Sequence, residues 1–279
     1  MKADRVRKVA DLANRRTRER FGRFLIEGPQ SVREAVTWMP GAVRDLYVQA
    51  VDGPDGPRIA GETLTSIVER SQEHRIYVHP ASEAVMRRIS PDCQGIAAVG
   101  DADAVRATVQ GTQLPEKPFV AAFWQVRDPG NAGTVIRAAD AAGCDAVVFV
   151  DDCVDMLNPK VIRATAGSLF HIPVMMMGVD EFFGWAGEKV LRTVAADVYG
   201  TDGREPRELP EALRDQDLSG VGKAVIFGNE ARGLEPGLLG RCDDIVRIPL
   251  YGKAESLNLA TSAAIMLMSM AMSSHIGTM

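Results

Sequence analysis

Residues 226–234 read IFGNEARGL, an apolar strand that runs directly into glycine, asparagine and glutamate. Glycine at the end of a strand lets a ligand approach the backbone closely, and ligands of α/β sheets bind at the carboxyl ends of the strands. A turn accounts for Gly228, but it accounts less well for the acidic Glu230 that follows. The stretch therefore indicates an α/β domain with a ligand site at this strand end.

Two further segments place polar residues directly after a predicted strand. Residues 128–137 read DPGNAGTVIR, in which a turn and an asparagine N-cap start a helix that carries Arg137. Residues 248–260 read IPLYGKAESLNLA, a strand and a loop followed by a helix whose first turn carries Ser256 and Asn258. Taken alone, each segment is better explained as a capped helix than as a functional site.

Strands and helices alternate along the whole chain, which predicts an α/β fold. The first alternation ends near residue 100, and the polar composition from Asp101 to Pro118 favours neither a packed helix nor a central strand. The continuous apolar strands that follow are typical of a parallel sheet covered on both faces. We predict a small α/β domain at residues 1–105, a linker at 106–117 and a second α/β domain at 118–279.

Charge is distributed unevenly along the chain. Its 279 residues carry a net charge of −5, but the first 24 hold nine basic and three acidic residues, so the other 255 carry −11. A basic arm on an acidic body fits RNA contact at one end of the molecule, although a solvated helix with internal charge pairs is an equal alternative. The candidate RNA contacts are Arg15, Arg16, Arg18, Arg20 and Arg23.

Several other classes of function lack their sequence signals. The N-terminus opens into charged sequence without an apolar h-region, and polar residues interrupt the longest apolar stretch, so we expect a cytoplasmic protein. The four scattered cysteines show no metal-ligand spacing, so we expect no metal site. Residues 220–224, GVGKA, resemble a phosphate loop only in part, because Ala224 stands where Ser or Thr would hold magnesium.

Taken in order, the three segments resemble the signature motifs of the SpoU/TrmH branch of the SPOUT RNA methyltransferases. The resemblance covers about residues 118–274, and residues 158–170 resemble a further Arg-Ala-Ser-Ala-Gly element with Thr165 in place of serine. Residues 24–28, FLIEG, and residues 94–98, QGIAA, resemble the ribosomal-protein-like substrate-binding domain that precedes the catalytic domain in many members.

This resemblance implies a fold, a cofactor and an activity. The second domain would be a SPOUT trefoil-knot domain that transfers a methyl group from S-adenosyl-L-methionine to a ribose 2′-hydroxyl of structured RNA, above all 23S ribosomal RNA. The implied cofactor contacts are Gly228, Asn229, Ile248, Leu250 and Leu257. The implied catalytic residues are Asn131, Arg137, Glu230, Ser256 and Asn258.

Two aspects of the implied activity stay open. Arg137 either contacts the ribose or its phosphate or acts as general base, and contact is favoured because a guanidinium normally stays protonated. Base methylation, as in another SPOUT branch, and RNA binding or ribosome assembly without catalysis are the alternative functions. The presence of Arg137, Glu230 and the Ser-x-Asn pair favours ribose methylation.

The helix predicted at residues 256–274 bears on assembly, because it is apolar nearly all round. Such a helix has to be covered on both sides, and family members pair through this region. We therefore predict a homodimer through the C-terminal domain. We also expect residues 1–105 to be removable without unfolding that domain.

Overall fold

The computed structural model describes residues 3–53, 56–214, 218 and 220–275, so Lys2 of the basic arm lies outside the described residues. The chain divides into two compact units. Unit 1 comprises Met1–Gly111 and Asp155–His171, and unit 2 comprises Thr112–Val154 and Ile172–Met279. Among the described residues, none of the helices has the length and apolarity that a membrane crossing requires.

Unit 1 is built on a mixed sheet in which β5 lies between β1 and β2, and β2 pairs with both β3 and β4. The β2–β4 pair is parallel and the other pairs are antiparallel. The strands are β1 (Arg23–Glu27), β2 (Val43–Gly53), β3 (Gly56–Ile59), β4 (Tyr77–Ala81) and β5 (Ile96–Asp101). The helices from the first part of the chain are α1 (Ala3–Ala10), α2 (Arg15–Phe21), α3 (Pro29–Trp38), α4 (Glu62–Glu73), α5 (Glu83–Ile89) and α6 (Ala102–Gly111).

Helix α6 differs from the prediction, which placed no helix in this polar stretch. Its first turn is stabilised by Asp101, whose Oδ1 accepts hydrogen bonds from the backbone N–H groups of Asp103 and Ala104 at 3.0 and 3.3 Å. Val105 on this helix is buried. The first six residues of the predicted linker, 106–111, are therefore helical, and unit 2 begins at Thr112.

The segment Asp155–His171 belongs to unit 1, although continuity of the sequence placed it in the second domain. It contains α8 (Pro159–Ala164) and a 3-10 turn at Ser168–Phe170. Helix α8 packs on β1, where Arg163 forms an ion pair with the buried Glu27. At the other end of the segment, His171 contacts Glu34 of α3 at 3.2 Å.

Unit 2 contains a seven-stranded sheet in which every described strand pair is parallel. The spatial order is β10-β12-β9-β11-β6-β7-β8. The strands are β6 (Phe119–Trp124), β7 (Ala146–Val150), β8 (Val174–Met177), β9 (Arg192–Ala196), β10 (Arg207–Glu208), β11 (Lys223–Phe227) and β12 (Asp244–Arg247). The helices are α7 (Pro129–Ala141), α9 (Val179–Glu188), α10 (Leu209–Ala212), α11 (Pro236–Leu239) and α12 (Leu259–His275). This confirms the predicted α/β class with a parallel sheet.

Helix α12 packs on α7, and both helices begin with a side-chain cap. Asp128 Oδ1 accepts from the backbone N–H of Asn131 at 2.8 Å at the start of α7. Asn258 Oδ1 accepts from the N–H groups of Ala260 and Thr261 at 2.9 and 3.3 Å at the start of α12. Ser256 therefore precedes α12, although the sequence pattern predicted it in the first helical turn.

Candidate functional site

A cavity of about 350 Å³ opens in unit 2 at the carboxyl ends of three adjacent strands. The strands β12, β9 and β11 are neighbours in the parallel sheet, so the loops that follow them meet at one edge. Residues 196–200, 227–234, 246–248 and 250 form these parts of the wall, and residues from α11, from the approach to α12 and from α12 itself complete it. The lining includes Gly228, Asn229, Ile248, Leu250 and Leu257, the five residues predicted to bind the cofactor.

Gly228 is required by a close approach of two backbone segments. A Cβ atom at this position would lie 2.3 Å from the carbonyl carbon of Gly233 and 2.6 Å from the backbone nitrogen of Leu234. The backbones of Asn229 and Gly233 are joined by two hydrogen bonds of 3.2 and 2.8 Å. The loop thus folds back on itself, and any side chain at Gly228 would force it apart.

Asn229 ties this loop to the segment that follows β6. Its Nδ2 donates to the carbonyl oxygen of Gln125 at 2.8 Å, and its Oδ1 accepts from the N–H of Ala231 at 2.9 Å. The side chain therefore has a structural role in the cavity wall. Any contact of Asn229 with the cofactor would come from atoms other than Nδ2 and Oδ1.

A chain of hydrogen bonds joins the three signature segments. Asn131 Nδ2 donates to Glu230 Oε1 at 3.0 Å, and Asn258 Nδ2 donates to Asn131 Oδ1 at 3.2 Å. The orientation of the amides is consistent, because the Glu230 carboxylate accepts hydrogen bonds and the Oδ1 of Asn258 is already engaged in capping α12. These bonds join Asn131, Glu230 and Asn258, and Ser256 lines the same cavity as Glu230. Four of the five predicted catalytic residues therefore lie together.

Arg137 is the one predicted catalytic residue that lies outside this group. It is exposed on α7, six residues beyond Asn131, which corresponds to about 9 Å along the helix. It does not line the cavity, and in the described part of the chain no carboxylate pairs with its guanidinium. An arginine in this state is available to a phosphate from outside the chain.

The wall also contains polar residues that the sequence motifs did not predict. Asp197 and Tyr199 follow β9, and Arg232 lies in the loop after β11. Asp197 Oδ1 accepts from the N–H groups of Tyr199 and Gly200 at 2.8 and 2.7 Å, which fixes its carboxylate at the wall. The available signal was the Asp-x-Tyr-Gly that directly follows an apolar strand, the same arrangement that identified Gly228 and Glu230.

The candidate RNA contacts in unit 1 divide into exposed and engaged arginines. Arg15, Arg16 and Arg20 are exposed on α2. Arg18 is 5% exposed and forms an ion pair of 2.6 Å with Asp155, so its assignment as an RNA contact is wrong for this conformation. Arg23 is about one-third exposed and pairs with Asp101 at 2.9 Å.

The Arg18 side chain is buried because it completes the end of the 3-10 turn before α2. Its guanidinium donates to the carbonyl oxygens of Leu12 and Ala13 at 3.0 and 2.8 Å, in addition to its two bonds to Asp155.

Within the described ranges, no group of three or more His, Cys, Asp or Glu residues is placed to hold a metal ion.

Comparison with known proteins identifies relatives of both halves of the chain. The profile described as the SpoU rRNA Methylase family matches residues 118–268. The profile described as the MRM3-like substrate binding domain matches residues 3–98.

Individual relatives align along nearly the whole chain. The 23S rRNA (guanosine(2553)-2′-O)-methyltransferase RlmP of Bacillus subtilis is 34% identical over 95% of this chain and 95% of its own length. The 23S rRNA (uridine(2479)-2′-O)-methyltransferase of Streptomyces viridochromogenes is 27% identical over 92% of this chain and 85% of its own length. A solved structure of an AdoMet-bound rRNA methyltransferase from Sinorhizobium meliloti is similar with a TM-score of 0.75, 25% identity and coverage of 96% and 94% of the two chains.

Proposed function

Because this chain belongs to the SpoU rRNA methylase family, we propose that it methylates a ribose 2′-hydroxyl of 23S ribosomal RNA. Family membership makes it an RNA methyltransferase, and S-adenosylmethionine is its methyl donor. The observation that carries the proposal is the hydrogen-bonded chain of Glu230, Asn131 and Asn258 beside the cavity. With this substrate the enzyme acts in the cytoplasm.

The cavity is suited to S-adenosylmethionine in size and chemistry. Its volume is within the range of small-molecule sites, and its wall combines apolar side chains such as Phe227 and Met266 with backbone polar groups. The missing side chain at Gly228 lets the loop fold back against Gly233 and Leu234, and all three residues line the cavity. We assign the cofactor contacts to Gly228, Asn229, Ile248, Leu250 and Leu257.

The residues around the cavity perform the positioning that methyl transfer requires. S-adenosylmethionine, when bound, supplies an electrophilic methyl group, so the protein must align the acceptor oxygen and help to remove its proton. Asn131 holds the Glu230 carboxylate at the cavity wall, and Asn258 fixes the loop that carries Ser256. Arg137 binds the target ribose or its phosphate through its free guanidinium fork.

The function is tested with labelled S-adenosylmethionine and protein-free 23S rRNA. The expected product is an RNA whose digestion leaves a nuclease-resistant 2′-O-methyl dinucleotide. Label in a methylated base would instead establish the base-methylating alternative. Cofactor binding without any transfer to RNA or to ribosomal subunits would favour the silent RNA-binding alternative.

A trefoil knot in the catalytic domain is part of the proposal. Its support is the set of signature segments at residues 128–137, 226–234 and 248–260, together with the three strand-end loops that meet at one cavity. In a knotted domain the segment between β12 and α12 passes through a loop of the same chain. An experimental structure with continuous density from Ile248 to Leu259 checks this path.

Asn258→Ala is expected to lower the methyl-transfer rate on the order of 10- to 100-fold, as for a supporting positioning residue. The variant loses both the cap of α12 and the hydrogen bond to Asn131. Asn258→Asp is the matched control, because aspartate caps a helix well but cannot donate to Asn131. Single-turnover rates of both variants should fall, and an Asp variant with full activity would contradict the role of the Asn131 bond.

We propose a homodimer through α12, whose outer face carries an apolar stripe. Ile265, Met268 and Met272 are 39%, 36% and 53% exposed and are spaced by three and four residues, so they share one face. The opposite side of the helix packs on α7. A twofold contact of this stripe with its copy would remove it from water, and methionine suits such an adaptable interface.

The dimer is tested by light scattering of the full chain at low micromolar concentration, where twice the chain mass of 30.2 kDa is expected. Met268→Glu should shift the protein toward the monomer, because it places a charge in the apolar contact. Met176→Glu is the control, since Met176 is similarly exposed at 48% but lies on β8. Equal masses for the two variants would show that α12 does not form the interface.

The double variant Arg16→Ala, Arg20→Ala is expected to flatten the salt dependence of RNA binding. Each phosphate that the variant no longer binds should reduce the slope of log K against log salt by roughly 0.7–0.9. Arg87→Ala is a control, because this exposed arginine of unit 1 is paired with Glu83. An unchanged slope in the double variant would show that α2 is a solvated helix that does not contact the RNA.

A further inference from the structure

Three rings in unit 1 form a series that runs from the core to the surface. Tyr47 is 2% exposed, His79 is 8% exposed and Tyr77 is 66% exposed. The rings of Tyr47 and His79 are stacked with centroids 4.7 Å apart, and the centroids of His79 and Tyr77 are 4.5 Å apart. The outer ring is therefore supported by a second ring that is itself held in the core.

The strand register produces this series. Tyr47 and His79 are direct neighbours on the parallel strands β2 and β4, and Tyr77 precedes His79 by two residues on the same face. His79 Nε2 is 2.8 Å from Asp45 Oδ1, which fixes the imidazole ring between its two neighbours. Among the described strands β4 pairs with β2 alone, so Tyr77 lies at an edge of the sheet.

The basic arm lies on the same side of this sheet. Val6 and Val9 of α1 belong to the core cluster that contains Tyr47. Burial and the nearby Asp45 carboxylate raise the pKa of Tyr47 to about 12, and the Arg5 guanidinium acts against them. The Arg5 side chain is therefore near Tyr47, the inner ring of the series. The exposed basic side chains of α1 are Arg5, Arg7 and Lys8, of which Arg7 and Lys8 form ion pairs with Asp4 at 2.7 and 3.2 Å.

An exposed aromatic ring on a sheet face that also carries a basic helix has the chemistry that binds unpaired nucleotides. Bases stack on aromatic side chains, and neighbouring Lys and Arg residues bind the adjoining phosphates. A lone surface tyrosine would be unremarkable, because apolar atoms form much of any protein surface. Tyr77 differs because its contact with His79, which Asp45 holds in turn, reduces the freedom that stacking would otherwise cost.

We propose that Tyr77 is a stacking platform for an unpaired base of the RNA substrate, with the basic residues of α1 contacting the phosphates beside that base. This inference rests on the proposed RNA substrate and assigns the contact to a single-stranded part of it. Double-stranded RNA keeps its bases paired and stacked, so it would gain nothing from Tyr77.

The test measures the affinity of the full chain for two RNA probes, a 12-nucleotide oligoadenylate and a blunt 16-base-pair duplex. Tyr77→Leu keeps an apolar side chain but removes the ring, and we expect it to weaken oligoadenylate binding about tenfold. Tyr77→Phe keeps the ring and should bind within about twofold of the parent. Duplex affinity should be unchanged in both variants. Thermal unfolding of the Leu variant controls for a general loss of structure.

A second readout reports stacking directly. Oligoadenylate with one 2-aminopurine should lose fluorescence on binding the parent chain and the Phe variant, and should lose less on binding the Leu variant at saturation. Equal oligoadenylate affinity for Leu and Phe variants would overturn the proposal. An equal loss of affinity for oligoadenylate and for the duplex in the Leu variant would also overturn it. So would a Leu variant whose only change is a lower oligomeric mass, because Tyr77 would then be a protein contact.

Methylation of 23S rRNA separates this inference from the proposed function. With saturating RNA, the single-turnover rate of the Tyr77→Leu variant should equal that of the parent, while the RNA concentration needed for half the maximal rate should rise. If the parent chain methylated no RNA, the proposed function would fail, whereas the two binding measurements would still decide the role of Tyr77.

Discussion

Arg137→Ala is expected to abolish methyl transfer while the affinity for S-adenosylmethionine stays within a few-fold of the parent chain. The guanidinium is exposed on α7 and is absent from the cavity wall, so its removal should leave the proposed cofactor contacts intact. Loss of a preorganised donor at a reacting group costs on the order of 10²–10³ in rate, and loss of its positioning adds to this. Single-turnover rates and calorimetric cofactor binding check the two parts of the expectation.

Two further variants make the Arg137 result specific. Arg137→Lys keeps the charge but not the planar fork, so an intermediate rate is expected. Arg241→Ala is the control, because Arg241 is a partly exposed arginine of the same unit that pairs with Asp180 away from the cavity. Loss of cofactor binding in the Ala variant would move Arg137 to the cofactor side, and an unchanged rate would remove it from the reaction.

The sheet of unit 2 was predictable because its strands are continuous apolar runs. Strands β6 and β7 lie in such runs, since each is buried on both faces and is flanked by polar or turn-forming residues. The short strand β8 is less apparent in the sequence, because Met176 is exposed and methionine is not among the residues enriched in strands. Apolar pattern therefore identified the centre of the sheet better than its edge.

The sequence could show which residues form the site, but not how their side chains are arranged. Strand-end position selected Gly228 and Glu230, and family resemblance added Asn131 and Asn258. No spacing rule could show that Asn131 accepts from Asn258 while it donates to Glu230, because these residues are about a hundred positions apart along the chain. Asp197 was missed since its strand was assigned by apolar residues alone.

The sequence also could not show which individual charged residues are buried. A count of basic residues treats Arg18 like Arg16, since both lie in one short helix of repeated arginines. The difference arises from tertiary structure, because Asp155 is far along the chain and is folded onto unit 1. For the same reason, the motif at residues 158–170 could not show the unit on which α8 packs.

Arg18→Ala is expected to destabilise the protein by about 3 kcal/mol, because removal of one partner of a buried ion pair leaves the other charge uncompensated. Asp155 is 22% exposed at its side chain, so water compensates it in part and keeps the cost at the lower end for such pairs. The carbonyl oxygens of Leu12 and Ala13 lose their donor as well. Arg16→Ala, an exposed change in the same helix, should alter stability by less than about 0.5 kcal/mol.

The same ion pair revises the expected result of removing residues 1–105. The segment Asp155–His171 would then lose the part of unit 1 on which it packs, and its buried residues Ile162 and Phe170 would face water. We therefore expect the fragment 112–279 to unfold at lower temperature than the full chain and to aggregate, instead of remaining a stable domain. Chemical unfolding of Arg18→Ala, Asp155→Ala and the double variant completes the test, because a coupling energy near zero would show that the pair does not hold the segment in place.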